Sequence, residues 1–264
     1  MNRHHPGALH GLAFARCVGL AFCASASFGS GLLRAQAEGD CAPFSEERRV
    51  TDGSGMATQT ATGLDVANNA YISSVINEKI KVKIIGPGLE GDVPVAAAGL
   101  GQGDPDFATT VSGITYMSFS QLDETTPGEG REIYLTSNEG GGGRFKVPLR
   151  VTRNRSDDYA SRLVLDRISV PHLVWAQAVD QQLQQARVMY WNLGFGDREP
   201  VAVVVGDYPH LTVDEAEIVH LVYSRGNDLY YNNNNGGTFQ NELRVTTTAA
   251  EPESAASIGV DPAG

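Results

Sequence analysis

An all-β fold made of repeated four-stranded antiparallel sheets is what this sequence predicts, and three observations predict it. The first is self-similarity. FQNELRVT (239–246), FKVPLRVT (145–152) and FSEERRVT (44–51) share a Phe, five intervening residues and a Val, and FGDREPVA (195–202) and LEGDVPVA (89–96) fit the same frame more loosely. Their leading residues, Phe44, Leu89, Phe145, Phe195 and Phe239, are spaced by 45, 56, 50 and 44 residues. The second is a landmark inside each unit. Asp214 precedes His220 by six residues, Asp166 precedes His172 by six, and Asp65 precedes Tyr71 by six. ITYMSFS (114–120) is the fourth copy, with Tyr116 in the His slot and no Asp. The third is local composition. Runs rich in Val, Ile, Tyr, Phe and Thr are bounded by Gly, Asn and Asp, which is the pattern of short strands and tight turns.

Each unit then reads as four strands. In the last complete one they fall at HLTVD (210–214), IVHLVYS (218–224), DLYYN (228–232) and TFQNELRVT (238–246). About 45 residues in four strands is the period of a β-propeller blade. One four-stranded sheet cannot bury both its faces, whereas sheets packed face to face around an axis cover each other. Blades are expected at about 57–97, 104–153, 157–203 and 206–248. The 56-residue spacing reflects QLDETTPGEGR (121–131), a polar insertion where the second strand turns into the third. DF (106–107), DY (158–159) and DY (207–208) read as a further landmark at each blade's start. AQAVDQQLQQARVMYW (176–191) resembles a helix locally, but its place in the repeat makes it strand.

The two ends are out of phase with the blades. FSEERRVT (44–51) is a fourth strand without the other three, and is expected to be a closure strand. Val260-Asp261 falls 47 residues after Val213-Asp214, so 255–264 reads as the start of a further blade. The expectation is a piece of a longer open reading frame: four complete blades, a closure strand and an incomplete ring.

The chain is acidic. Its formal net charge is −11, with 41% apolar and 19% charged residues, which supports a buried core and argues against nucleic acid as the partner. Residues 1–16 carry Arg3, His4, His5 and Arg16 and no acid; an apolar stretch follows and ends in Ala35-Gln36-Ala37. This pattern predicts a signal peptide over 1–37 and hence a secreted or periplasmic protein. Its removal takes away three arginines and no acid, leaving 17 cationic and 31 anionic residues, net −14. Cys17 and Cys23 leave with it, so Cys41 stands alone and no intrachain disulfide forms. No transmembrane segment is expected in the mature chain.

Two turns carry a recognisable phrase. NNNNGGTF (232–239) fits S-x-D-x-G-x-x-W/F through Asn232, Asn234, Gly236 and Phe239. SNEGGGGRF (137–145) is a longer copy through Ser137, Glu139, Gly141 and Phe145. In such a turn Asn or Asp bonds its own backbone, Gly supplies a positive φ, and the aromatic residue plugs between sheets. The phrase resembles the Asp-box, or bacterial neuraminidase repeat, of secreted bacterial sialidase-like propellers. That resemblance implies a structural turn remote from any catalytic face. It also implies that a catalytic member of the family would hold an arginine triad, a Tyr nucleophile with a Glu partner, and an acidic acid/base. No arginine here sits in a context that singles out such a triad, so no catalytic residue is carried over.

His172, His220, Tyr71 and Tyr116 share one slot and are candidates for lining a channel. Two His residues alone make an incomplete zinc site, and blade packing is the expected role. No cofactor and no metal are expected. Three functional readings remain: a non-catalytic module that binds a glycan, a protein or a surface component; a glycoside hydrolase of the sialidase type; and a structural protein of the cell envelope. The first is the leading expectation, with a glycan or a cell-surface protein as partner.

Overall fold

The computed structural model describes residues 50–51, 56–87, 89–96, 99–123, 130–138, 143–180, 185–196, 199–247, 252–253 and 256–261. The expected signal peptide, Cys41, residues 44–49 of the expected closure strand, and Gly141 lie outside the described residues. The chain divides between Arg49 and Val50, and every described strand belongs to the second unit, Val50–Gly264.

Four antiparallel sheets follow one another along the chain. The first holds β1 (Thr58–Leu64), β2 (Ala70–Ile76), β3 (Lys79–Gly86) and β4 (Leu89–Val93). The second holds β5 (Gly103–Thr109), β6 (Thr115–Leu122), β7 (Arg131–Ser137) and β8 (Leu149–Arg150). The third holds β9 (Asp158–Leu165), β10 (Pro171–Asp180), β11 (Gln185–Asn192) and β12 (Val201–Val205). The fourth holds β13 (Asp207–Val213), β14 (Val219–Arg225), β15 (Asp228–Asn233) and β16 (Leu243–Arg244). The helix-like stretch 176–191 is thus the β10–β11 hairpin.

First strands touch from sheet to sheet, β1 on β5, β5 on β9 and β9 on β13, so they line an axis and the fourth strands lie outside. This is a β-propeller. Packing runs in order from the first sheet to the fourth, and the ring is not closed among the described residues. Second strands are nearly continuously buried because a neighbouring sheet covers either face; outer strands such as β12 are exposed.

Three apolar layers fill the seams. Between sheets one and two lie Tyr71, Val75, Ile80, Phe107, Phe119 and Phe145. Gly63 makes room here, since a Cβ on it would meet the Phe107 Cβ at 2.8 Å. Between sheets two and three lie Ile133, Leu135, Leu163, Leu173, Trp175 and Trp191. Between sheets three and four lie Val174, Tyr190, Leu211, Leu221 and Tyr223.

The register corrects two expectations. Asp106, Arg162 and His210 share one slot, because their neighbours Phe107, Leu163 and Leu211 face Met117, Leu173 and Leu221. DF and the two DY pairs therefore do not occupy equivalent positions; a bulge in each first strand breaks the phase. In the outer strands, Val93, Leu149 and Leu243 each lie four residues after the leading residue of the repeat, whereas Val201, paired with Tyr190, lies six after Phe195. The third blade is thus two residues out of frame. Val50, Thr51 and residues 256–261 lie outside the described strands.

Candidate functional site

The axis has two unlike ends. At one end each first strand turns into the second, and the four turns are the same. Residue i donates its N–H to the carbonyl of i+4, and i+3 donates back to i, at Asp65, Thr110, Asp166 and Asp214. Residue i+3 has positive φ in every copy: Asn68, Gly113, Ser169 and Glu217. The polar side chain at i closes the turn. Asp65 Oδ1 accepts from the Ala67 and Asn69 N–H groups, Asp166 Oδ1 from Ile168 and Val170, Asp214 Oδ1 from Ile218, and Thr110 Oγ1 from Ile114. Thr110 is the equivalent that the sequence pattern missed, because a hydroxyl replaces the carboxylate.

The His/Tyr slot is tied to this turn. His172 Nε2 donates to Asp166 Oδ2 at 3.3 Å and Nδ1 accepts from the Tyr190 hydroxyl at 2.7 Å. Asn192 Nδ2 donates to the same hydroxyl at 3.0 Å. The next blade repeats the relay through Asp214, His220, Tyr231 and Asn233, at 3.1, 2.7 and 3.0 Å. Tyr71 hydrogen-bonds Asp65 and accepts from Asn138 Nδ2 of the next blade at 2.9 Å. Burial lowers the pKa of His172 against the opposing pull of Asp166, and burial raises Tyr190 to about 12. Tyr71, Tyr116, His172 and His220 lie on second strands and pack into the seams or bond within their own blade, while first strands line the axis. Both nitrogens of each relay imidazole are occupied, so the two rings do not share an ion. Among the described residues no group of three or more His, Cys, Asp or Glu side chains could hold a metal.

The box-like turns lie at this same end. Asn234 accepts from the Val219 N–H at 2.7 Å through Oδ1 and donates its own N–H to the Val219 carbonyl at 3.2 Å. Asn138 makes the same pair with Thr115, at 2.8 and 2.9 Å. The residue matching Asn234 is therefore Asn138, and Ser137 is level with Asn233. Asn232 Oδ1 holds the N–H groups of Asn233 and Asn241. Gly236 and its neighbour Gly237 both have a φ of 92°. Phe145 is fully buried against Tyr71 and Phe107, and Phe239 meets Tyr190 edge-on at 5.4 Å.

The other end, the mouth, is irregular. Each first strand begins with a bulge whose residue is left-handed: Gln59, Asp104, Ala160 and Tyr208, with φ of 47°, 51°, 54° and 46°. The polar insertion after β6 leaves and re-enters at this end. A polar network crosses the seams here. Gln59 donates to Asp104 Oδ1, and Asp104 Oδ2 accepts from Ser120 Oγ at 3.0 Å and from the Ala160 N–H at 2.9 Å. Arg131 grips Asp157 bidentately at 2.9 and 2.8 Å, lies 3.7 Å from Asp104, and sits over the Tyr159 ring at 5.5 Å. Tyr159 donates to Asp207 Oδ2 at 3.0 Å. Burial, with Asp207 beside it, raises the Tyr159 pKa. Tyr208 is 49% exposed and meets Tyr159 edge-on at 6.4 Å. Asp158, fully buried at the start of β9, is pushed up to about 6 by burial.

No protein-family model matches the chain, and no curated protein is similar to it in sequence. Solved structures are similar in fold. A thermostable family-43 glycoside hydrolase matches at a TM-score of 0.55 and 12% identity, over 80% of this chain and 82% of that one. A Hadza microbial sialidase matches at 0.56 and 11%, over 72% of this chain and 47% of that one. An endo-arabinase from Bacteroides thetaiotaomicron matches at 0.52 and 13%, over 72% and 81%. Among the described residues no helix is long and apolar enough to cross a membrane. The chain shares the propeller fold of sialidases and family-43 glycoside hydrolases.

Proposed function

We propose that this chain is an exported propeller that binds glycan at its bulged mouth without cleaving it. The observation that carries this reading is the state of the mouth's carboxylates. Hydrolysis by an acid–base pair needs two carboxyl groups free to meet the glycosidic bond. Asp104, Asp157 and Asp207 instead accept from Gln59, Ser120, the Ala160 N–H, Arg131, Tyr159 and the Tyr208 N–H, so they build the mouth. What they leave outward is Tyr208, an aromatic face held in a backbone conformation that costs a bulky residue ~1–2 kcal/mol. An exposed ring beside charged groups is suited to stacking on a sugar and bonding its hydroxyls. The basic then apolar leader over 1–37 supports export, and the glycan-cleaving proteins that share the fold support a carbohydrate partner.

The test is a panel of neutral and acidic oligosaccharides in titration calorimetry, run beside fluorogenic glycosides. The expected result is saturable binding without turnover, weakened in Tyr208→Gly. Release of the fluorophore at enzymatic rates would replace this reading with the glycoside hydrolase one. Binding to no saccharide would sink it.

A further inference from the structure

Lysine is placed unevenly in this chain. Of its four lysines, three are Lys79, Lys81 and Lys83, at alternate positions of β3. Alternation puts them on one face of sheet one, while Ile80, Val82 and Ile84 between them enter the seam with sheet two. The row follows the strand, with Cα atoms about 7 Å apart from one lysine to the next. Lys79 and Lys81 are exposed, and among the described residues neither makes an ion pair. Lys83 lies 3.4 Å from Glu90, a part-exposed pair of the kind that holds weakly. Two cations without a carboxylate stand out in a chain with 31 acidic and 20 basic residues.

The register shows what the row replaces. Three residues after the shared His/Tyr slot, each second strand presents a side chain toward the preceding blade, paired with one from the third strand. The pairs are Phe119 with Tyr134, Trp175 with Met189, and Tyr223 with Tyr230, and each packs into a seam. In sheet one the pair is Ser74 with Lys81. This face thus lacks the large apolar pair that the seams use. Covering it with an apolar sheet would strip the ammonium groups of water, a cost that only carboxylates offset. The face suits an anionic partner. An ammonium is a point charge without a fork, so a row of them fits anions repeated along a line. A membrane or an acidic protein surface is broad, and would come within a Debye length, about 8–10 Å, of the exposed Glu78, Glu90 and Asp92 as well. A single polymer chain can follow β3 alone. We propose that Lys79, Lys81 and Lys83 hold a linear polyuronate, a polysaccharide with repeated carboxylates, along β3. The choice of a saccharide rests on the glycan reading, but the row and the mouth are different surfaces and can fail separately.

The experiment is a calorimetric titration of the full chain with polygalacturonate oligomers, with neutral oligosaccharides, and with phosphatidylglycerol vesicles. The expected result is saturable binding of polygalacturonate that weakens with salt. Replacing Lys79, Lys81 and Lys83 together by Gln should weaken it about tenfold, since one exposed charge contact is worth about two- to threefold. Replacing the same three by Arg should preserve it. A charge-matched variant, Arg144→Gln with Lys146→Gln and Arg167→Gln, removes three exposed cations elsewhere and should bind as the parent does. No binding of polygalacturonate, or an equal loss in the two glutamine variants, overturns the row. Capture by the vesicles in place of polygalacturonate names a membrane and overturns it too. Loss of polygalacturonate binding in Tyr208→Gly but not in the lysine variant moves the carboxylates to the mouth, overturning the row and leaving the glycan reading standing. Polygalacturonate held on the row while no oligosaccharide binds at the mouth supports the row and overturns the mouth.

Discussion

The two ends of the axis are built from the same strands and behave as opposites. At the turn end one hydrogen-bond pattern recurs four times, with Asp65, Thr110, Asp166 and Asp214 each closing a turn whose left-handed residue follows three places later. At the mouth the strands bulge, left-handed positions fall on Gln59, Asp104, Ala160 and Tyr208, and no two blades present the same side chain. The turn end satisfies its polar groups locally, and repetition is the sign of that. The mouth carries backbone strain, a buried carboxylate and an exposed ring. Left-handed residues occur at both ends, so what sets the mouth apart is the buried carboxylate of Asp158 and the exposed ring of Tyr208.

Substitutions should therefore have opposite signs at the two ends. The largest effect is expected for Phe145→Ala, which empties a fully buried aromatic site behind the turn end. Urea denaturation should show a loss of ~3–5 kcal/mol with saccharide binding retained; a loss below about 1 kcal/mol would mean the plug does not hold the seam. Next is Asp158. Its folded pKa lies above its unfolded one, so the folded state binds the proton more tightly. Stability is then greatest at low pH, declines as pH rises from about 4 to about 6, and is flat above. The charged carboxylate costs on the order of 3 kcal/mol at neutral pH. Asp158→Asn should reduce this slope between pH 4 and 6 and raise the urea midpoint at pH 7; an unchanged slope would assign it elsewhere. Burial also raises Asp106, which keeps its share of the slope in that variant. Burial pushes Asp65, Asp157 and Asp214 up, but their hydrogen bonds outweigh it and leave them below the ordinary value, so their contribution fades only in stronger acid.

Asp166→Ala should come third. It strips two backbone N–H groups and His172 of their acceptor, for ~1–3 kcal/mol, again without touching binding. The smallest change in stability is expected for Tyr208→Gly. Relief of the left-handed strain, ~1–2 kcal/mol, offsets the lost ring contact, ~0.5–1.5 kcal/mol, so thermal unfolding should hardly move while saccharide affinity falls. Equal losses in stability and affinity would make Tyr208 a packing residue and erase the contrast between the ends.

Much of the turn end was legible in the residues. Asp166 and His172 are six apart because one turn and one strand residue separate them, and every blade with the same hairpin repeats the interval. Phe145 and Phe239 were legible as interblade plugs because each follows a glycine-rich turn. Thr110 was hidden by its hydroxyl, and Asn138 by a longer turn that shifted the apparent frame by one residue. The mouth was not legible. A single left-handed residue in each first strand displaces everything before it, so Asp106, Asp158 and Asp207 looked equivalent and are not.

By itself, then, the order of residues determined the sheets, their four-strand length and the hairpins that close them, since these depend on hydrogen bonds and side-chain alternation within about 45 residues. Only the tertiary structure decided which residues meet on the axis. Asp106, Arg162 and His210 lie on three different blades and have no common spacing in the chain. They converge because first strands pack against first strands, a consequence of how whole sheets bury one another's faces, and no local pattern records it.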